Sequence, residues 1–142
     1  LEGKSIEIIA SDGSPKAIEK AKHGIYRERS FRNLSPGLRI KYFAQDGKEW
    51  KVDRRLHDKI RWKTANLMDE TQIREMSTSP FIFCRNVFIY FSDQTIQKTV
   101  ERLYDRMPKP GFLFIAASES LLKLRTRFEL EEIGGAFVYV KK

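Results

Sequence analysis

The chain has 142 residues, of which 41% are hydrophobic and 12% aromatic, enough for one folded unit with an apolar core. No apolar run reaches the roughly 18 residues of a membrane-spanning helix, and the N-terminal residues have neither the basic start nor the apolar stretch of a secretion signal. The net charge of +8 favours an anionic partner without selecting its class.

The N-terminal residues predict a strand followed by a helix. Residues 6–10 form a short, β-branched apolar run that ends at the turn residues 11–13. Ser14 is a typical N-cap and Gly24 a typical stop signal, which together predict a helix over Pro15–His23 with proline at its first position. A strand, an acidic loop and a helix in this order form the half-unit of a parallel α/β sheet.

The middle of the chain predicts an insertion built on a β-hairpin. Residues 26–43 are mixed, basic and aromatic, with a short helix expected after Ser35-Pro36. Residues 48–56 and 59–67 alternate apolar and charged side chains, a pattern typical of two antiparallel strands with one apolar face. We therefore predict an inserted antiparallel β-hairpin subdomain at residues 38–67.

The second half of the chain predicts further strands and helices. An apolar stripe from Ile96 to Met107, with Ser92 as N-cap and Pro108 as stop, predicts a long helix. The single cysteine, Cys84, has no partner for a disulfide or a paired metal site, which is typical of a protein from the reducing cytoplasm. The other predicted elements are a weak helix at 69–76, buried strands at 80–84 and 112–117, and a hairpin of 128–131 and 136–140 around Gly134-Gly135.

Polar residues follow three of the predicted strands. They are Asp12, Asn66 and the pair Arg85-Asn86. Ligands of open parallel sheets bind outside the carboxyl ends of the strands, so these positions are candidate ligand contacts. The two oxygens of a carboxylate such as Asp12 suit the two donor hydroxyls of a ribose, but a turn aspartate before a helix is also a common cap.

A longer motif follows the strand at 80–84, where residues 83–91 read Phe-Cys-Arg-Asn-Val-Phe-Ile-Tyr-Phe. This segment closely resembles the signature of the CheR family, the chemotaxis-receptor methyltransferases. Other segments resemble the family in the same order along the chain: Ser11-Asp12, Gly24-Ile25-Tyr26, Leu34-Ser35-Pro36, Tyr42-Phe43, Asn66-Leu67, Pro108 to Gly111 and Ser118-Glu119-Ser120. The resemblance therefore extends over nearly the whole chain.

The resemblance implies a fold and an activity. The fold is a Rossmann-like class I methyltransferase sheet, with residues 1–142 as a partial methyltransferase domain. The activity is the transfer of a methyl group from S-adenosylmethionine to glutamate side chains on the cytoplasmic helices or tail of chemotaxis receptors. The expected location is the cytoplasm, without membrane insertion.

The resemblance also assigns roles to individual residues. Tyr90 is implied to lie nearest the transferring methyl group, with packing beside Phe88 and Phe91 as the alternative. No metal site is predicted. The implied cofactor contacts are Asp12 at the ribose, Asn66 and Leu67 at the edge of the adenosyl pocket, and Arg85 and Asn86 at its floor.

Two parts of the family pattern are expected to precede Leu1, namely the glycine-rich loop after the first strand and the helical N-terminal domain. In the family, that strand lies between the strands predicted here at 6–10 and 80–84, so the predicted sheet is incomplete at its N-terminal side. We therefore expect this chain alone to bind the cofactor weakly and to be inactive. The two unpaired strand edges should either pair with each other or join two copies in a dimer, and we expect the dimer.

Two alternative functions come from other classes. In the first, the hairpin is a non-catalytic docking module to which a receptor tail adds as an extra strand. In the second, the hairpin binds nucleic acid, since residues 48–63 contain seven Lys or Arg against three Asp or Glu, with Trp50 and Trp62 as stacking platforms. We expect no nucleic-acid binding, because the tryptophans alternate toward one face that should pack on the domain.

Overall fold

The computed structural model describes residues 6–142 and shows a mixed α/β protein with several sheets. It divides into two compact units, one ending at Ala65 and the other covering Asn66–Lys142. Within the described residues, no helix combines the length and apolar character needed to cross a membrane. The helices are α1 (Pro15–His23), α2 (Pro36–Tyr42), α3 (Arg54–His57), α4 (Glu70–Ile73) and α5 (Asp93–Arg106), and the strands are β1 (Ile8–Asp12), β2 (Ile25–Arg27), β3 (Phe43–Asp46), β4 (Glu49–Val52), β5 (Ile60–Thr64), β6 (Phe81–Cys84), β7 (Gly111–Ile115), β8 (Glu129–Ile133) and β9 (Ala136–Lys141).

The first unit begins with the predicted strand and helix. The strand was predicted at residues 6–10. The observed strand, β1, is shifted by two residues and ends at Asp12. The helix α1 has the predicted bounds: the Ser14 hydroxyl accepts from the Ala17 N–H at 3.3 Å, and Gly24 ends it with a φ of 64°. A left-handed C-cap is the conformation for which glycine is favoured. β1 and β5 pair in parallel, with Asp12 opposite Thr64.

The prediction that residues 48–56 and 59–67 pair as a hairpin is wrong. β4 lies at the centre of a three-stranded antiparallel sheet, paired with β2 on one side and β3 on the other. Because both hydrogen-bonding edges of β4 are occupied, the following strand, β5, cannot pair with it and joins β1 instead. The short helix α3, capped by Asp53, carries the chain from one sheet to the other.

The second unit contains a four-stranded sheet in the order β6-β7-β9-β8. β6 and β7 are parallel, and the remaining neighbours are antiparallel. The apolar stripe of α5 is buried as predicted, with Val100 fully inaccessible and Met107 2% exposed. The predicted terminal hairpin is confirmed: Gly134 and Gly135 form its turn with φ values of 60° and 79°.

The strands β1 and β6 each lie at the edge of a sheet within the described residues. β1 pairs with β5 and β6 pairs with β7, so direct pairing between the strands predicted at 6–10 and 80–84 does not occur. Two aromatic side chains of β6 are exposed, Phe81 by 56% and Phe83 by 69%. An exposed apolar edge strand is a template for pairing with another chain, so dimer formation stays a prediction.

We expect the chain to form a concentration-dependent dimer through β6, measured by light scattering. Phe83→Lys should shift it toward monomer, because charged side chains discourage edge pairing. The matched control is Phe137→Lys, since Phe137 is 70% exposed but lies on β9, which has a neighbour on each side. A chain that stays monomeric at every concentration, or equal dissociation by both variants, would contradict the prediction.

Candidate functional site

The carboxyl ends of two parallel strands meet in the second unit. Cys84 at the end of β6 lies opposite Ile115 at the end of β7. The predicted residues Arg85 and Asn86 follow β6 directly, and both are exposed. Asn86 has a φ of 58°, the left-handed conformation that asparagine adopts more readily than most other residues. Two predicted cofactor contacts therefore lie at the edge where parallel sheets bind ligands.

A 3₁₀ turn, Phe88–Tyr90, follows this pair and presents Tyr90 to solvent. The Tyr90 N–H donates to the Val87 carbonyl at 3.2 Å, and Tyr90 is 80% exposed. Phe88, two residues earlier, is 3% exposed and belongs to the core of the unit. The packing alternative for Tyr90 therefore does not describe this structure, in which Phe88 and Phe91 pack instead.

One carboxylate, Glu119, holds the backbone of this loop. It accepts from the N–H groups of Asn86 at 3.0 Å, Val87 at 2.9 Å and Phe88 at 2.8 Å. It also accepts from the N–H of Ala116, just beyond β7, at 2.8 Å. Sequence reasoning gave Glu119 no role; the only signal was its place in the segment Ser118-Glu119-Ser120 that resembles the family.

The ionisation of Glu119 follows from these contacts. Burial disfavours its charged form, but the four backbone N–H groups outweigh burial and hold the pKa of the carboxyl below its ordinary value. Burial also raises the pKa of the neighbouring Cys84 thiol to about 12, with a further contribution from the Glu119 charge. At neutral pH these shifts favour a carboxylate that holds the loop and a neutral thiol beside it, an environment typical of a buried packing cysteine.

The predicted pair Asn66-Leu67 lies at the start of the second unit. The Asn66 side-chain oxygen accepts from the Met68 N–H at 3.0 Å, and its amide nitrogen can donate to a ligand. The Asn66 N–H donates to the Gln72 side chain at 2.8 Å. Leu67 is half-buried and packs against the core cluster that contains Cys84 and Phe88. Leu67 and the loop after β6 are thus anchored to the same core.

Asp12 belongs to the first unit and is exposed at the end of β1. Its Oδ1 accepts from the Ser14 N–H at 2.8 Å, while Ser14 itself caps α1. Asp12 is therefore part of the turn but is not the N-cap. The second oxygen remains available to a donor, which leaves the expected contact with a ribose hydroxyl as a prediction.

The tryptophans of the first unit do not form a stacking surface. The Arg39 guanidinium lies 3.7 Å from the centre of the Trp50 ring, and Phe31 packs against the same ring at 5.6 Å. Trp62 contacts His57, with ring centres 5.3 Å apart. Both indoles are half-buried. Base stacking needs an accessible ring face, so this arrangement does not favour nucleic-acid binding.

Comparisons with known proteins agree with these observations. Residues 2–136 match the family model described as CheR methyltransferase, SAM binding domain. "Chemotaxis protein methyltransferase 2" of Vibrio cholerae serotype O1 is 33% identical over 143 residues, which cover 99% of this chain and 49% of that protein. "Chemotaxis protein methyltransferase" of Vibrio parahaemolyticus is 33% identical over 141 residues, 97% of this chain and 50% of that protein.

A third similar protein is named for a different process. "Probable biofilm formation methyltransferase WspC" of Pseudomonas aeruginosa is 32% identical over 116 residues, which cover 82% of this chain and 28% of that protein. The chain thus spans about half the length of the Vibrio relatives and less of this one.

Proposed function

Since the chain belongs to the CheR methyltransferase family, whose matched domain binds S-adenosylmethionine, we propose that it forms part of a protein-glutamate O-methyltransferase acting on chemotaxis receptors. The observation that carries this proposal is the loop after β6. There, the exposed Arg85, Asn86 and Tyr90 lie in one turn whose backbone is fixed by Glu119. We further propose that the sheet of the complete enzyme is Rossmann-like.

Each unit by itself supplies side chains that suit part of an adenosyl group. Asp12 has a carboxylate oxygen for a ribose hydroxyl, and Asn66 has an amide donor for a base or ribose acceptor. Leu67 supplies an apolar edge suited to an adenine ring. Arg85 and Asn86 supply further polar groups at the carboxyl end of β6. Within the second unit, this combination of an apolar residue and a few polar groups is usual in sites for small organic ligands.

The proposed chemistry makes few demands on the side chains. A substrate glutamate with an ordinary pKa of about 4.3 is ionised at neutral pH, so no general base is needed to form the nucleophile. The cofactor, when bound, supplies the methyl group and the leaving group. What the protein must contribute is alignment and exclusion of water. The exposed Tyr90 hydroxyl is suited to donate to the substrate carboxylate and orient it.

The charge distribution supports an acidic partner. Residues 1–65 contain sixteen Lys and Arg against nine Asp and Glu, whereas residues 66–142 contain eleven against ten. The positive charge is thus concentrated in the first unit, where it would attract a receptor helix rich in glutamate. We propose the cytoplasmic helices or tail of a chemotaxis receptor as this partner, and the cytoplasm as the location.

The proposal is tested with the longest natural protein that contains this chain, incubated with methyl-labelled S-adenosylmethionine and a receptor cytoplasmic fragment. We expect label to enter the receptor as an ester that alkali releases. Absence of transfer, or transfer only into alkali-stable linkages, would contradict the proposal.

The role of Tyr90 is tested with Tyr90→Phe in the same assay. We expect methyl transfer to slow about tenfold while cofactor affinity stays nearly unchanged, because a hydrogen bond to a charged group contributes roughly 1.5 to 3 kcal/mol. The matched control is Tyr104→Phe, which removes a hydroxyl from the last turn of α5. Equal rates for Tyr90→Phe and the unchanged protein would mean that the hydroxyl plays no part.

A further inference from the structure

We propose that Glu119 is a positioning residue of the cofactor site, which holds the backbone of residues 86–88 so that Arg85 and Asn86 face the cofactor. This inference rests on the proposed function and goes beyond it, because the residues assigned to the cofactor do not include Glu119. Its carboxylate joins the chain after β6 to the chain after β7, the two parallel strands whose ends form the candidate site.

The four contacts require a carboxylate rather than another polar group. Oε1 accepts from Val87 and Phe88, and Oε2 accepts from Asn86 and Ala116. A glutamine of the same shape has one acceptor oxygen, and its NH₂ group would face two N–H donors. Glu119→Gln therefore removes two of the four hydrogen bonds without changing the size of the side chain.

The same contacts explain the conformation of Asn86. A non-glycine residue at a φ of 58° is in a sparsely populated region, so the surrounding structure must hold it there. Glu119 holds the peptide groups before and after the Asn86 Cα, because it accepts from the N–H of Asn86 itself and from those of the next two residues. Without it, we expect the turn to relax and the direction of the Asn86 side chain to change.

Glu119 acts through the backbone rather than on the ligand. Successive N–H groups that point toward one small group form a concavity suited to an anion. Here that concavity is filled by a carboxylate of the protein's own chain. A negatively charged group of the cofactor must therefore bind elsewhere, and the loop serves as a fixed support for the exposed side chains on it.

The test compares Glu119→Gln with Glu132→Gln, which makes the same chemical change at an exposed glutamate of β8. Amide hydrogen exchange is measured on residues 86, 87, 88 and 116, and the S-adenosylmethionine dissociation constant by calorimetry, in the longest natural protein that contains this chain. For Glu119→Gln we expect the hydrogen-exchange rate at these amides to rise about tenfold, and the S-adenosylmethionine dissociation constant to rise by about the same factor. Glu132→Gln should change neither.

A second variant, Glu119→Asp, keeps the charge on a side chain that is one methylene shorter. It tests the positioning role of Glu119 if Glu119→Gln does not fold. We expect its dissociation constant to lie between those of the unchanged protein and the glutamine variant. Faster exchange with unchanged affinity in either variant would reduce Glu119 to a purely structural role and overturn this inference alone. An unchanged protein that binds no S-adenosylmethionine would overturn the proposed function, and this inference with it.

Discussion

Replacing Asp12 with alanine is expected to raise the S-adenosylmethionine dissociation constant about tenfold or more. The reason is that the carboxylate of Asp12 is exposed at the end of β1, with one oxygen not engaged by Ser14, and that a hydrogen bond to a charged group contributes roughly 1.5 to 3 kcal/mol. Calorimetric titration of the longest natural protein that contains this chain measures the effect. The matched control is Asp46→Ala, because Asp46 is also exposed and ends a strand, β3.

A second substitution separates the ligand contact from the turn. Asp12→Asn keeps an oxygen that accepts from the Ser14 N–H but loses the second carboxylate oxygen and the charge. We therefore expect it to weaken cofactor binding while the melting temperature stays nearly unchanged. If both variants lower the melting temperature and leave the affinity of the folded protein unchanged, Asp12 serves only the turn before α1.

Gly111→Ala is expected to destabilise the second unit by about 1 to 3 kcal/mol, the usual cost of placing extra atoms in a packed region. A Cβ at this position would lie 2.8 Å from the Pro108 carbonyl oxygen and 3.1 Å from the Cε atom of Met107. The first contact is with backbone and the second with a residue that is 2% exposed, so neither neighbour moves freely. Thermal unfolding followed by circular dichroism should show a decrease of several degrees.

Gly37→Ala is the matched control for this prediction. Gly37 lies in α2, and a Cβ there would have no atom within 4 Å. Because alanine favours the helical conformation more than glycine does, this variant should be neutral or slightly stabilising. Equal melting temperatures for Gly111→Ala and the unchanged protein would show that the turn from Pro108 to Gly111 adjusts without cost.

Local signals were sufficient for most elements of the fold. Ser14 and Gly24 marked the ends of α1, and Ser92 marked the start of α5, because a cap acts on backbone groups within a few residues. The apolar stripe of α5 identified its buried face for a similar reason, since helical spacing alone brings Ile96, Val100 and Leu103 to one side.

The partner of each strand was harder to infer. β2 and β3 have three and four residues, too few for an alternating pattern to stand out, so the sequence predicts the next strand along the chain as the partner of β4. Strand pairing depends on which edges are already occupied, and this is a property of the assembled sheet. The error at residues 48–67 therefore lay in the pairing of the strands rather than in their existence.

By itself, the sequence determined the family, the capped helices and the loop from Arg85 to Tyr90, which contains three of the six predicted site residues. Each of these features depends on short motifs of contiguous residues or on contacts between residues a few positions apart. Only the tertiary structure decided that β5 joins β1 and that Glu119 holds the loop, since Glu119 binds N–H groups 31 to 33 residues away along the chain. Propensity and periodicity describe neighbours in sequence, whereas these hydrogen bonds form between groups that only the folded sheet brings together.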